Sequence, residues 1–84
     1  MKFEISKHCL EQIRRRGINL DEILEVLHNP GTVLQQDEDV SVYQSLSNDQ
    51  QYVFRIFVNI KKQPNLVITA YKTSKISKYY ENKI

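Results

Sequence analysis

Residues 52–71 read YVFRIFVNIKKQPNLVITAY, and this stretch predicts two long strands joined by a short loop. Apolar side chains recur at every second position over 52–60, which is the period of a strand with one buried face. Residues 61–65 break the alternation with a proline and several polar side chains, as the loops of hairpins do. We therefore expect residues 66–71 to return antiparallel to the first strand.

Arg55 stands out in this stretch because it lies on the face of the strand opposite to the apolar row. If residue 60 pairs with residue 66 across the hairpin, Arg55 comes opposite Tyr71. Thr69 then lies on the same face, with Lys72 next along the chain. Such a patch is suited to an anionic ligand, and an ordinary solvated sheet face is the alternative.

Two helices are predicted before the sheet. Ser6 precedes a helical pattern over 7–16, and Asn19 with Glu22 three residues later has the form of a capping box at the start of a second helix. Residues 2–5 are expected to form a short first strand or an extended lead-in. Further strands are predicted at 32–35 and 40–46, and a last helical turn near Ile76, Tyr79 and Tyr80. This order predicts an α+β fold in which two N-terminal helices pack on one face of a four-to-five-stranded, mainly antiparallel sheet.

The length and composition of the chain restrict its class. Its 84 residues are enough for one small domain, spanning 1–84. The single cysteine, Cys9, excludes an intramolecular disulfide, and no segment has the roughly 20 apolar residues that cross a membrane. The sequence also lacks the pattern of a secretory signal. We therefore expect a cytoplasmic protein without a membrane partner.

Charge is distributed unevenly along the chain. Residues 61–84 hold six lysines and one glutamate and so carry +5, and residues 1–60 carry −3 because the whole chain carries +2. This asymmetry indicates an end of the chain that faces a polyanion or an acidic partner. A lysine-rich, solvated end is the alternative interpretation.

The sequence contains no glycine loop for a phosphate group and no cysteine and histidine pattern for zinc. We therefore expect no metal and no cofactor, and chemistry carried by arginine, histidine, lysine and tyrosine. In the first helix His8, Gln12 and Arg15 fall within about 60° of one another at ~100° per residue, with Arg16 at the border of the apolar stripe. This set fits RNA cleavage, because histidine transfers protons near neutral pH and arginine pairs with phosphate oxygens. A solvated helix surface is the alternative.

A small bacterial domain family is similar to this chain in the order and spacing of its short motifs. The matching positions are Ser6-x-His8-Cys9-x-x-Gln12-x-x-x-Arg16-Gly17-Ile18, then Asp21-Glu22-Ile23, Asn29-Pro30 and Thr69-Ala70-Tyr71. Members typically read His-Ala, then Arg four and eight residues after the His, then Gly-Ile. Gln12 departs from this pattern, since an arginine is usual there. The resemblance extends over nearly the whole chain.

That family looks like a branch of the RelE/ParE-like, barnase and colicin-type ribonuclease superfamily. The resemblance implies a RelE-like toxin of a type II toxin–antitoxin system, a metal-independent endoribonuclease of the mRNA interferase type. Its implied partners are RNA, free or on the ribosome, and a cognate antitoxin protein. The expected catalytic residues are His8, Arg16, Arg55 and Tyr71, and the expected substrate contacts are Arg15, Thr69 and Lys72.

Two other functions remain open at this point. The chain could be a protein-binding toxin without nuclease activity, such as a ParE-like gyrase inhibitor, or an inactive relative. It could also be a non-enzymatic nucleic-acid-binding protein that uses its lysine-rich end.

Overall fold

A five-stranded sheet carries two helices on one of its faces in the computed structural model of this protein, which describes residues 2–80. The elements are β1 (Phe3–Ile5), α1 (Lys7–Arg15), α2 (Leu20–His28), β2 (Thr32–Gln35), β3 (Val40–Leu46), β4 (Val53–Asn59), β5 (Asn65–Thr73) and α3 (Ile76–Tyr79). The predicted α+β class is confirmed, and the predicted helical turn near Ile76 is α3.

The strands lie in the order β1-β5-β4-β3-β2. Strands β2 to β5 form an antiparallel meander, so the predicted hairpin of β4 and β5 is confirmed. The short first strand pairs in parallel with β5, at the opposite edge of the sheet from β2. The sheet is therefore mixed, with one parallel pair.

The predicted helix starts are confirmed by their capping bonds. Ser6 Oγ accepts a hydrogen bond from the Cys9 backbone N–H at 3.0 Å, and Asn19 and Glu22 form the reciprocal capping box of α2. Gly17 has a φ of 68° between the two helices, a left-handed conformation that glycine adopts without strain. None of the helices within residues 2–80 is long and apolar enough to span a membrane.

One hydrophobic core lies between the helices and the sheet. Its buried side chains are Cys9, Ile13, Ile18, Ile23, Val26, Leu27, Phe54, Ile56, Val58, Val67 and Ala70. The alternating row predicted for β4 is confirmed at Phe54, Ile56 and Val58. Leu10 of α1 and Leu20 of α2 are apolar but lie outside this core, since both side chains are exposed. The helices thus cover one face of the sheet, and the opposite face carries a separate set of side chains.

Candidate functional site

The sheet face opposite to α1 and α2 collects the residues that the strand pattern singled out. Arg55 pairs with Tyr71 and Phe57 pairs with Thr69, so these four side chains lie on one face. The predicted Arg55–Tyr71 register is confirmed. The predicted starting pair 60–66 is wrong, because Asn59 pairs with Leu66 and a bulge after Val67 restores the register.

Arg55 is a half-buried cation held by two neutral side chains. Its Nε donates to Gln44 Oε1 at 2.6 Å and its Nη1 donates to Tyr71 Oη at 2.8 Å. Its guanidinium carbon lies 4.3 Å from the centre of the Tyr79 ring and 5.4 Å from that of Phe57. Neither hydrogen-bond partner cancels the charge, and the aromatic rings lower the polarity around it. Such a fixed guanidinium is suited to binding an anion.

Gln44 is the residue that the sequence reasoning missed. Its side chain is 1% exposed; its Oε1 accepts from Arg55, and its Nε2 donates to the Tyr79 carbonyl at 2.9 Å. Gln44 therefore fixes the guanidinium and attaches α3 to the sheet at the same point. A signal was present, since Gln44 interrupts the row that Val42 and Leu46 continue on the same face of β3.

Helix α1 reaches the same sheet face through Gln12. Thr69 Oγ1 donates a hydrogen bond to Gln12 Oε1, so a side chain of α1 contacts β5 two residues before Tyr71. His8 lies one turn earlier on the helix and is exposed.

Arg16 lies where α1 meets the edge of β5. Its Nη1 donates to the Ala70 carbonyl at 2.7 Å, and Ser6 Oγ donates to the Ile68 carbonyl at 3.2 Å. These carbonyls lie beyond the last residue of β5 that pairs with β1. Arg16 thus holds α1 against the sheet through one N–H group of its guanidinium.

The structure does not bring all the predicted residues together. Lys72 pairs with Phe54 and so points to the helix face, where its Nζ lies 4.8 Å from the centre of the Tyr52 ring. Arg15 is exposed near the end of α1. The group assembled around Arg55 therefore comprises Tyr71, Thr69, Gln12 and Gln44 from the sheet and α1, with Tyr79 from α3.

The pKa values of two side chains near these elements, Tyr79 and Cys9, are shifted in opposite directions. The pKa of Tyr79 lies below its ordinary value, first because of its hydrogen bond with Lys78 and then because of the charge of Lys78, with smaller contributions from Tyr71 and Arg55. Burial raises the pKa of the Cys9 thiol, although Arg16 opposes this. The thiol is therefore a core group and a poor nucleophile.

Comparisons with known proteins give a family and no closer relative. No curated protein matches the chain, and no solved structure matches it. A family model matches residues 5–72, which includes α1, α2 and every strand position of the Arg55 group. The chain therefore belongs to the family described as Domain of unknown function (DUF4258).

Proposed function

We propose that this protein is a metal-independent endoribonuclease, the toxin of a type II toxin–antitoxin system of the RelE/ParE-like kind. The observation that carries the proposal is the environment of Arg55, a half-buried cation whose hydrogen-bond partners, Gln44 and Tyr71, are neutral. A guanidinium held in this way can stabilise the charge that develops on a phosphate during cleavage.

The proposed reaction needs no group beyond the chain and its RNA. The 2′-oxygen of a ribose loses its proton and attacks the neighbouring phosphorus, the bond from phosphorus to the 5′-oxygen breaks, and that oxygen takes up a proton. The products are a 2′,3′-cyclic phosphate and a 5′-hydroxyl. Arg55 would hold the phosphate, Tyr71 would donate a hydrogen bond to it, and His8 would transfer a proton.

The remaining predicted residues have supporting roles in this proposal. Arg15 and Arg16 would contact neighbouring phosphates, and Thr69 with Gln12 would line the substrate path between α1 and the strands. Lys72 takes no part, because its side chain lies on the helix face. The proposed cognate antitoxin is acidic, because the basic charge of the chain is concentrated in residues 61–84.

The test is RNA cleavage by the purified full chain in the presence of a chelator, with free RNA and with translating ribosomes. Arg55→Ala should slow cleavage by about 10²–10³-fold, as loss of one charge-stabilising donor commonly does. Arg14→Ala is the matched control, because Arg14 is exposed on α1 and has no place in the proposed site. His8→Ala should slow cleavage by about 10²–10⁴-fold.

Three results would contradict the proposal. Cleavage by Arg55→Ala at the wild-type rate would show that Arg55 does not belong to the active site. Growth arrest by the expressed chain with intact RNA and poisoned gyrase would instead support the protein-binding toxin. Binding of RNA without cleavage, with free RNA and with ribosomes alike, would support the non-enzymatic alternative.

A further inference from the structure

Strand β2 forms an open edge of the sheet. Within residues 2–80 it pairs with β3 alone, and all of its residues, Thr32–Gln35, are exposed. Val33 is 47% exposed on the helix face and Leu34 is 45% exposed on the opposite face. Edge strands usually carry a lysine, a proline or a bulge that prevents pairing with another chain. The sequence of β2 has no lysine or proline, and its pairing with β3 is regular.

The opposite edge of the sheet is protected. Strand β1 has three residues, and the part of β5 that continues past it offers its carbonyl groups to α1, where Ser6 and Arg16 bind them. The two edges therefore differ. Strand β2 is the edge that has unpaired backbone N–H and C=O groups within residues 2–80, and the exposed side chains of Val33 and Leu34 lie on its two faces.

Charges of opposite sign lie at the two ends of β2. The turn after the strand contains Asp37, Glu38 and Asp39, all exposed. At the start of the strand, Lys78 of α3 lines a surface cavity together with Thr32 and Leu34. If two copies of β2 pair antiparallel, the acidic turn of each copy lies at the lysine end of the other. The same favourable contact then forms twice, as a two-fold interface requires.

We propose that β2 pairs antiparallel with β2 of a second copy of this chain, around Val33 and Leu34. The dimer then has one continuous ten-stranded sheet, with the helices of both copies on the same face. Four residues per strand give a small interface, so the association is weak and depends on protein concentration. This inference rests on the β2 edge and is independent of the proposed nuclease activity.

The experiment is analytical ultracentrifugation of the full chain from micromolar to millimolar concentration. The wild-type chain should pass from monomer to dimer over this range. Leu34→Lys should raise the dissociation constant about tenfold or more, because it replaces a buried apolar contact by a charge. Leu10→Lys is the matched control, since Leu10 is 42% exposed on α1 and carries the same change away from the edge.

A second variant measures how much the charges contribute to the affinity of the dimer while the residues of β2 stay unchanged. Reversal of two charges in the acidic turn, Glu38→Lys with Asp39→Lys, should weaken the dimer without altering β2, and added salt should weaken the wild-type dimer. Amide hydrogen exchange at Thr32–Gln35 should slow as the concentration rises. A wild-type chain that stays monomeric at millimolar concentration overturns the proposal, and so does a Leu34→Lys chain that associates like the wild type.

Discussion

Gln44 keeps the charge of Arg55 available because the amide binds the guanidinium without neutralising it. Gln44→Glu would keep an acceptor beside Arg55 Nε and add the negative charge that is absent in the wild type. We expect the affinity for a short single-stranded RNA to fall about tenfold, a change of about 1.4 kcal/mol. The measurement is a binding titration by fluorescence anisotropy.

The control for this variant is Gln36→Glu, which makes the same chemical change at an exposed position after β2. Equal affinities of the two variants would mean that the charge of Arg55 does not attract the RNA. Melting curves of both variants show whether the buried carboxylate also weakens the attachment of Tyr79, whose carbonyl loses the Gln44 amide donor.

Individual site residues could be predicted from the sequence where they interrupt or oppose the alternating pattern of a strand. Arg55 could be found because it is a charged side chain on the face of β4 opposite to the apolar row. Its pairing with Tyr71 was predicted from a starting pair that is one residue off, and the bulge after Val67 compensates for that difference. Gln44 could not be assigned to Arg55, because the sequence does not fix how β3 aligns with β4. The side of Lys72 was predictable, because it directly follows Tyr71 and strand alternation places its side chain on the face opposite to Arg55.

At the scale of elements, Arg16 determines how α1 lies on the sheet. Arg16→Ala removes the donor to the Ala70 carbonyl. We expect the free energy of unfolding to fall by about 1–3 kcal/mol, the usual cost of a part-buried group that loses its partner. Urea denaturation of Arg16→Ala and of the control Arg14→Ala measures this difference.

This prediction also separates two roles of Arg16. If Arg16 acts on the phosphate alone, Arg16→Ala lowers RNA cleavage and leaves the urea midpoint unchanged. If it fastens α1, the midpoint falls, and amides of α1 exchange faster than those of α2. Arg16→Lys, which keeps one donor, should recover part of the stability.

Helix boundaries were predictable from caps, and the position of β1 was not. Ser6 and the Asn19–Glu22 pair act within a few residues of the chain, so their geometry follows from local sequence. Strand β1 has three residues and pairs with a segment about sixty positions later. So short a strand has no periodic signal, and its parallel partner is set by the packing of the whole sheet.

For the whole molecule, the position of the lysines should determine how RNA approaches. Lys75→Ala with Lys78→Ala removes two exposed charges at α3, and Lys78 Nζ lies 5.1 Å from the centre of the Tyr79 ring. We expect the affinity for single-stranded RNA to fall and its dependence on the logarithm of salt concentration to decrease, by about 0.7 for each phosphate that the variant no longer neutralises. Lys61→Ala with Lys62→Ala makes the same change of charge in the loop between β4 and β5.

The loop variant should bind RNA nearly as the wild type does, because that loop joins the ends of β4 and β5 far along the strands from Arg55. An equal loss of affinity in both variants would show that net charge alone governs binding. In that case the lysine-rich end is a solvated segment, which is the alternative that the sequence left open.

The difference between the two edges of the sheet also limits how many copies can join. A sheet with two open edges can add molecules at both sides and grow into a filament. On the other side the edge strand β1 has only three residues, and α1 binds two carbonyls of β5 beyond it through Ser6 and Arg16. Addition at β2 is therefore favoured, and a pair that joins there has consumed the open edge of each member. Weakening of the bond from Arg16 to β5 would therefore do more than loosen one helix. It would uncover the second edge of the sheet. A molecule with two open edges could then assemble into linear polymers, whereas the proposed assembly through β2 ends at the dimer.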